Sequence, residues 1–394
     1  MISLGVLLLI AGVIGTLSSA VYLVLALLGL IKFRKEKFNP PEQWPPVSLL
    51  KPLHGNEPQL ECNLASFFEQ DYAGVFEIIF AIDHADDAAL PIVKQVCERY
   101  ASVHSRILIT GEPAWPNPPA YSFSRMAETA QYDILVTSDS DVQVDRDYLS
   151  SVVPPLCSPQ NGMLTCLYRG KNLGGFWSAL DAVGMSVEMS AGVLAANLLE
   201  GMKFGLGPTI AVRRDALREI GGYEALGDYF SNDFVIGNLV AAQGKTVILS
   251  QHIISHIVPP MTFTRMWRRQ VRWATGTKHS RPKGHFGTVF VFAVPYGLAA
   301  LLGGLLAHRP VLGFLLFAVT VANRLIENYA IGWGVTRDRE CLMKPWLYPL
   351  RDLLGFAVWV ASYLSRNMSW RDGRFELVKG GRIRVRDRVA LEPE

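Results

Sequence analysis

Charge is scarce in this chain, and cysteine scarcer. Only 19% of the residues are charged, the formal net charge is +3, and there are 5 cysteines among 394 residues. A balance so close to neutral offers a nucleic-acid backbone no global attraction, so no nucleic-acid partner is expected. Cys62, Cys97, Cys157, Cys166 and Cys341 form no CxxC pair. An odd number of them in a cytoplasm-facing domain reads as reduced structural thiols. Residues 1–31 lack charged side chains altogether, and Lys32, Arg34, Lys35 and Lys37 follow at once. A cleaved signal peptide would have a basic segment first and a shorter apolar stretch, so neither condition for one is met. About 20 apolar residues span a bilayer. Residues 1–32 are therefore expected to be a transmembrane anchor, and the basic cluster after it places the following domain in the cytoplasm.

What is abundant is hydrophobicity, at 50% of the chain, and it is unevenly spread. Residues 46–260 have the composition of one large soluble domain. Apolar runs return at 286–307, with Pro295 inside, and at 311–336, where Arg324 and Glu327 stand one helical turn apart. Such a pair at membrane depth is costly and faces the bundle interior, as a packing ion pair or as part of a lipid cavity. The run 346–364 is broken by Pro349, Arg351 and Asp352, as in a re-entrant or interfacial segment. A basic tail closes the chain with Arg366, Arg371, Arg374, Lys379, Arg382, Arg384, Arg386 and Arg388. The organisation expected is an anchor (1–32), a cytoplasmic catalytic domain (46–260), an amphipathic interfacial helix (261–285), membrane spans with a re-entrant segment (286–364) and a basic cytoplasmic tail (365–394). This makes a multi-pass membrane protein.

Inside the soluble domain, short branched-aliphatic runs at 47–53, 76–82, 106–109, 134–137 and 163–167 read as strands buried on both faces. Helical spacing separates them at 60–69 and 88–100. The alternation predicts an α/β fold, a mostly parallel Rossmann-like sheet wrapped by helices. Ligands of such sheets bind beyond the carboxyl ends of the strands. Asp83 directly follows one strand and Asp139-Ser140-Asp141 another. Carboxylates at i and i+2 past a strand can turn toward one point, and hard oxygen ligands suit Mg²⁺ or Mn²⁺.

Asp233 opens the apolar, helical stretch 234–242. It reads either as a carboxylate satisfying free N–H groups at the helix start or as a general base. In the stretch 263–274, Arg265, Arg268, Arg269 and Arg272 fall on one side of a helical wheel and Phe263, Met266, Trp267, Val271 and Ala274 on the other. That helix suits anionic headgroups, and Arg272 suits a diphosphate, which a planar guanidinium grips at two points. Trp273 lies off the basic stripe, available to stack on a sugar or to anchor in the interface.

The order of Asp83, the Asp139 triplet, Asp233 and Gln270-Val271-Arg272-Trp273 resembles the inverting glycosyltransferases of the GT-A fold. Fuller strings narrow it: Leu50-Lys51-Pro52-Leu53-His54-Gly55, Phe67-Phe68-Glu69-Gln70-Asp71-Tyr72, Asp83-His84-Ala85-Asp86-Asp87 and Ser369-Trp370-Arg371-Asp372-Gly373-Arg374. These are similar to ceramide glucosyltransferases, and nearly as similar to bacterial glycosyltransferases of hopanoid lipid synthesis. The resemblance implies a UDP-sugar donor, a ceramide-like lipid acceptor and Mn²⁺ or Mg²⁺. It makes Asp233 the base, Asp139 and Asp141 the metal ligands, and Asp83, Pro52, Glu57, Gln270, Arg272 and Trp273 the substrate-binding residues. One departure stands out: where members often read Asn-x-Lys, this chain has Asn117-Pro118-Pro119. Lys171 or Arg169 is then a candidate for the missing cation. A membrane lipid-binding protein without catalysis is the reading from a different class.

Overall fold

The computed structural model describes residues 3–36, 38–364, 367–370 and 373–388; Lys37, Arg366, Arg371 and Asp372 lie outside them. The chain forms two compact units.

The first unit comprises Glu36–Tyr168, Glu200–Ile257 and the C-terminal stretch from Ser369. Its strands are β1 (Val47–Leu53), β2 (Phe76–Ile82), β3 (His104–Ile109), β4 (Ile134–Ser138), β5 (Val142–Gln143), β6 (Asn161–Asn172), β7 (Thr209–Arg213) and β8 (Thr246–Val258). They form one sheet in the order β3-β2-β1-β4-β7-β6-β8-β5. Pairing is parallel from β3 through β2 and β1 to β4, then turns antiparallel at β7 and β6. Leu49, Ile78, Phe80 and Val136 have no solvent exposure, as expected of central strands that helices cover on both faces. The helices Leu60–Phe68 and Ala89–Arg99 lay Leu64, Phe67, Val93 and Val96 into this core.

A third helix, Pro118–Thr129, hides from a periodicity reading behind its two prolines. In the first turn they initiate a helix instead of breaking it, and the Asn117 side chain caps that turn by accepting the Ala120 N–H at 2.9 Å. The register sets Leu53 opposite Ile82 and Leu50 opposite Thr137. The carboxyl ends of β2 and β4 thus emerge on one edge with β1 between them, roughly 10 Å apart at two strand spacings. Three further strands, β9 (Asn367–Trp370), β10 (Gly373–Val378) and β11 (Arg382–Arg388), form a separate sheet from the segment read as a basic tail.

The second unit comprises Met1–Lys35, Arg169–Leu199 and Val258–Met368. Three of its helices, Leu4–Lys35, Phe176–Glu200 and Pro310–Trp333, are long and apolar enough to cross a bilayer, and the chain is a membrane protein. Phe176–Glu200 arises from inside the stretch that composition assigns to the soluble domain. The run 286–307 is not one straight helix: Pro282–Phe290 and Val294–Leu306 meet at 42°. Pro295 stands in the first turn of the second piece, whose start is capped by Asp352, with Oδ2 accepting from Ala293 N at 3.0 Å and Val294 N at 2.8 Å.

The helix Leu347–Leu364 is continuous, because the charges that interrupt its apolar run are buried and paired. Arg324 lies 3.0 Å from Glu327 and 3.4 Å from Asp352, and Tyr348 donates to Glu327 at 2.9 Å. These partners answer the question the sequence leaves open: the Arg324 and Glu327 pair packs against protein. Small residues let the N-terminal helix approach its neighbour, as in membrane packing generally. A Cβ on Gly12 would stand 2.4 Å from the Ala300 Cβ.

Candidate active site

On the shared strand edge of the first unit, β4 ends and Asp139 begins. Two buried side chains shape the turn that follows. Lys51, on β1, donates from Nζ to the Asp139 carbonyl at 2.8 Å and lies within 3.4 Å of Ser138 Oγ. Asn63 Nδ2 donates to the Ser140 carbonyl at 3.1 Å. Lys51 is fully buried, with its ammonium 3.6 Å above the Phe67 ring. Burial pulls it down to about 7, although Asp139, Asp141 and Glu57 all pull the other way. A lysine in a strand whose other residues, Ser48 apart, are apolar is the signal that would have singled it out.

Asp233 arrives from another segment, in the first turn of the helix Asn232–Ala242. Its Oδ2 accepts the Gly207 N–H at 2.9 Å. A Cβ built on Gly207 would lie 3.4 Å from that oxygen and 3.8 Å from Asp139 Oδ2, so the two carboxylates flank one backbone position. The crowding shows at Asp139. Burial, then Asp141, Glu57 and Asp233, push the Asp139 carboxyl well above the usual range, with Lys51 opposing. Burial likewise raises Asp233, against the Phe234 and Gly207 amides. Gly207 has no sequence signal at all.

Asp141 turns toward His256, whose Nε2 lies 3.4 Å from its Oδ2, and its carbonyl accepts the Ile257 N–H. Asp83 is nearly buried at the end of β2, with Thr110 Oγ1 3.4 Å from its Oδ1. Pro52 is buried within β1, and Glu57 stands close enough to influence both Lys51 and Asp139. Asp87, which ends the string that Asp83 opens, works structurally: it accepts N–H groups from Gly55 and Ala89, tying the two loops together.

The donor set suits a hard divalent cation, since it is oxygen-only and concentrates negative charge. Among the described residues no group of three His, Cys, Asp or Glu side chains closes around a point. Asp139 and Asp141, the two ligands that the sequence suggests, are the residues that could hold such an ion.

In the string Asn117-Pro118-Pro119, where Pro119 stands at the lysine position, Asn117 is 1% exposed and structural. Its Nδ2 donates to the Tyr229 carbonyl at 2.6 Å and its N–H to Gly227. The buried cation next to Asp139 in this unit is Lys51. Arg169 and Lys171 lie in the last residues of β6, past Tyr168, where that stretch of the first unit ends.

Gln270, Arg272 and Trp273 belong to the second unit, on the helix Phe263–Ser280, which Thr262 caps. Gln270 is 6% exposed and engaged at both ends of its amide. Its Nε2 donates to Asp181, and its Oε1 accepts from Arg351 at 2.8 Å. Arg269 does not join a free basic stripe: it pairs with buried Asp181 at 2.6 Å and stacks 4.6 Å over Trp273. Asp181 was detectable as the one charge in the apolar run Phe176–Val183.

Comparison with known proteins gives the family and the fold. Residues 12–383 match Glycosyl transferase family 21. The chain is 24% identical over 371 residues to ceramide glucosyltransferase 1 of Caenorhabditis elegans, covering 91% of this chain and 77% of that protein. It is 33% identical over 130 residues to the ceramide glucosyltransferase of Komagataella phaffii, covering 32% of this chain and 25% of that one. Among solved structures, a mannosyltransferase from Pyrobaculum calidifontis in complex with GDP-Man and Mn²⁺ has a TM-score of 0.53 at 18% identity, over 90% of this chain and 99% of that one. That likeness establishes the GT-A-like fold. With the family match spanning nearly the whole sequence, the chain belongs to Glycosyl transferase family 21.

Proposed function

We propose that this membrane glycosyltransferase moves glucose or a related hexose from a UDP-sugar to the primary hydroxyl of ceramide or a ceramide-like lipid. The observation that carries the reading is the meeting of Asp233 and Asp139 beside Gly207 on the strand edge. The ceramide glucosyltransferases among its relatives support the acceptor class.

Asp233 takes the acceptor hydroxyl proton as that oxygen bonds to the anomeric carbon and the bond to the UDP oxygen breaks. Direct displacement inverts the centre, so an α-linked donor gives a β-linked product. A carboxyl raised above its ordinary range by burial is better matched to neutral pH as a base. The backbone N–H of Gly207 holds its Oδ2 in place. Mn²⁺ or Mg²⁺ held by Asp139 and Asp141 would neutralise charge on the departing diphosphate. Lys51 and Asn63 brace the turn carrying those two acids. Asp83, Pro52 and Glu57 are assigned to the donor, and Gln270, Arg272 and Trp273 to the diphosphate and acceptor.

The experiment is transfer of radiolabel from UDP-glucose by the purified protein with Mn²⁺ across a panel of ceramide, hopanoid and polyprenyl lipids. Label in ceramide supports the reading. Label only in another lipid changes the acceptor, and no label in any lipid favours a lipid-binding protein without catalysis.

A further inference from the structure

The C-terminal sheet has no part in the reaction just described, yet its hairpin reaches the loop that delivers Asp233. Lys379, Gly380 and Gly381 turn β10 into β11, both glycines at positive φ of 83° and 78°. Beyond the turn, β11 runs along residues 228–230. Ile383 donates its N–H to the Asp228 carbonyl at 2.7 Å, and Phe230 donates to the Gly381 carbonyl at 2.9 Å. Tyr229 and Arg382 form an antiparallel bridge between these two backbone bonds. The Arg382 guanidinium lies 5.3 Å from the Tyr229 ring centroid, with Nη2 3.2 Å and Nε 3.3 Å from its hydroxyl.

The same loop is held from a second direction by Asn117, through Tyr229 and Gly227. A Cβ on Gly227 would come within 2.9 Å of the Trp115 indole. The helix bearing Asp233 starts at Asn232, two residues past Phe230. An edge strand that borrows backbone partners from another segment fixes that segment's register, and here the segment is the lead-in to the base.

We infer that the C-terminal hairpin is a strap that positions the Asp233 loop, with Arg382 and Tyr229 as positioning residues for transfer. The inference rests on Asp233 acting as the base. It also gives a role to a sheet the reaction leaves unused, in which Ser369 and Trp370 lie in β9 and Gly373 and Arg374 in β10.

The test uses the full-length protein in detergent micelles with Ile383→Pro, Arg382→Ala and Arg382→Lys. Ile383→Pro removes the N–H given to Asp228 from a strand at the edge of its sheet, where proline is tolerated. Two readouts are taken: hydrogen exchange of amides 228–234, and transfer kinetics with UDP-glucose. Ile383→Pro and Arg382→Ala are expected to speed exchange in 228–234 and to lower kcat about tenfold to hundredfold, as misplacement of a catalytic group does. KM for UDP-glucose should stay within about twofold, because the groups assigned to the donor are not displaced. Arg382→Lys, which keeps a cation over the ring, should recover most of the loss. Unchanged exchange in both disruptive variants overturns the strap, as does faster exchange with unchanged kcat. If the wild type transfers nothing, the reading of Asp233 falls, and the exchange measurement alone then decides whether the hairpin holds the loop.

Discussion

Gly207 gives its N–H to Asp233 at 2.9 Å and leaves, where a side chain would begin, a gap 3.4 Å from the same carboxylate and 3.8 Å from Asp139. Contacts at those distances are ordinary van der Waals separations, so Gly207→Ala is sterically admissible. Its methyl would nevertheless replace water and ligand atoms between two carboxylates. The expected outcome is a melting temperature close to that of the wild type and a loss of transfer on the order of 10²-fold, the usual effect of a small misplacement at a reacting centre. A variant with full activity would show that the gap is not used.

Asp233→Asn should cut kcat by roughly 10² to 10⁴, the contribution of a positioned general base, while UDP-glucose still binds in a calorimetric titration. The pH profile carries the sharper expectation. Because burial raises the Asp233 carboxyl, it becomes protonated, and inactive as a base, above the pH at which an exposed aspartate would. The acid limb of kcat/KM should therefore lie above the ordinary aspartate range and disappear in the residual activity of Asp233→Asn. An acid limb that survives the substitution unchanged would assign it to another group.

Much of the sheet was legible because its centre is apolar on both faces: β1 and β2 have the bounds that their branched residues suggest. The acids were legible too, since Asp83 and Asp139 directly follow strands. Lys51 was visible as the one charge in its strand, whereas Gly207 acquires its meaning from segments distant in sequence, which no local pattern encodes. The helix Phe176–Val183 and its continuation were masked by Asp181 and Glu188, whose charges look like soluble-domain surface until their partners, half-buried Arg269 and buried Arg351, are seen. The C-terminal sheet reads as a run of positive charge, although Arg382, Arg384 and Arg386 alternate with Ile383 and Val385 at the period of a strand.

Glu77 provides a stability test outside the site. Fully buried on β2, it accepts from Ser48 Oγ and the Gln131 N–H, each at 2.7 Å, and pairs with Arg106. Burial alone would raise its carboxyl, but the Gln131, Arg106 and Ser48 bonds outweigh that and hold it below the usual range. A lowered folded value means its contribution is complete above the unfolded pKa of about 4.3 and disappears as pH falls through the folded value. Glu77→Gln should cost roughly 1.5–3 kcal/mol at neutral pH, the range for hydrogen bonds to a charged group. Thermal melts from pH 7 to pH 3 should show the gap between wild type and variant constant at first and then narrowing at the acid end; a gap that widens there would reverse the sign.

Asp181 tests the framework of the second unit. It is fully buried, paired with Arg269 at 2.6 Å and hydrogen-bonded by Gln270, which in turn accepts from Arg351. Removing one member of a buried ion pair leaves the other charge uncompensated, at a cost of roughly 3–5 kcal/mol, whereas replacing both with apolar groups is often neutral. Asp181→Ala should therefore lower the melting temperature by several degrees, and Asp181→Ala with Arg269→Met should recover much of it. The double-mutant cycle separates the pair from the rest. Gln270 supplies the second readout: with Asp181 gone, its amide keeps Arg351 as its remaining described partner, and Arg272, two residues further along the same helix, should bind UDP more weakly if this network aims it. UDP affinity unchanged in the thermally rescued double variant would mean that Asp181 stabilises the helix without directing Arg272.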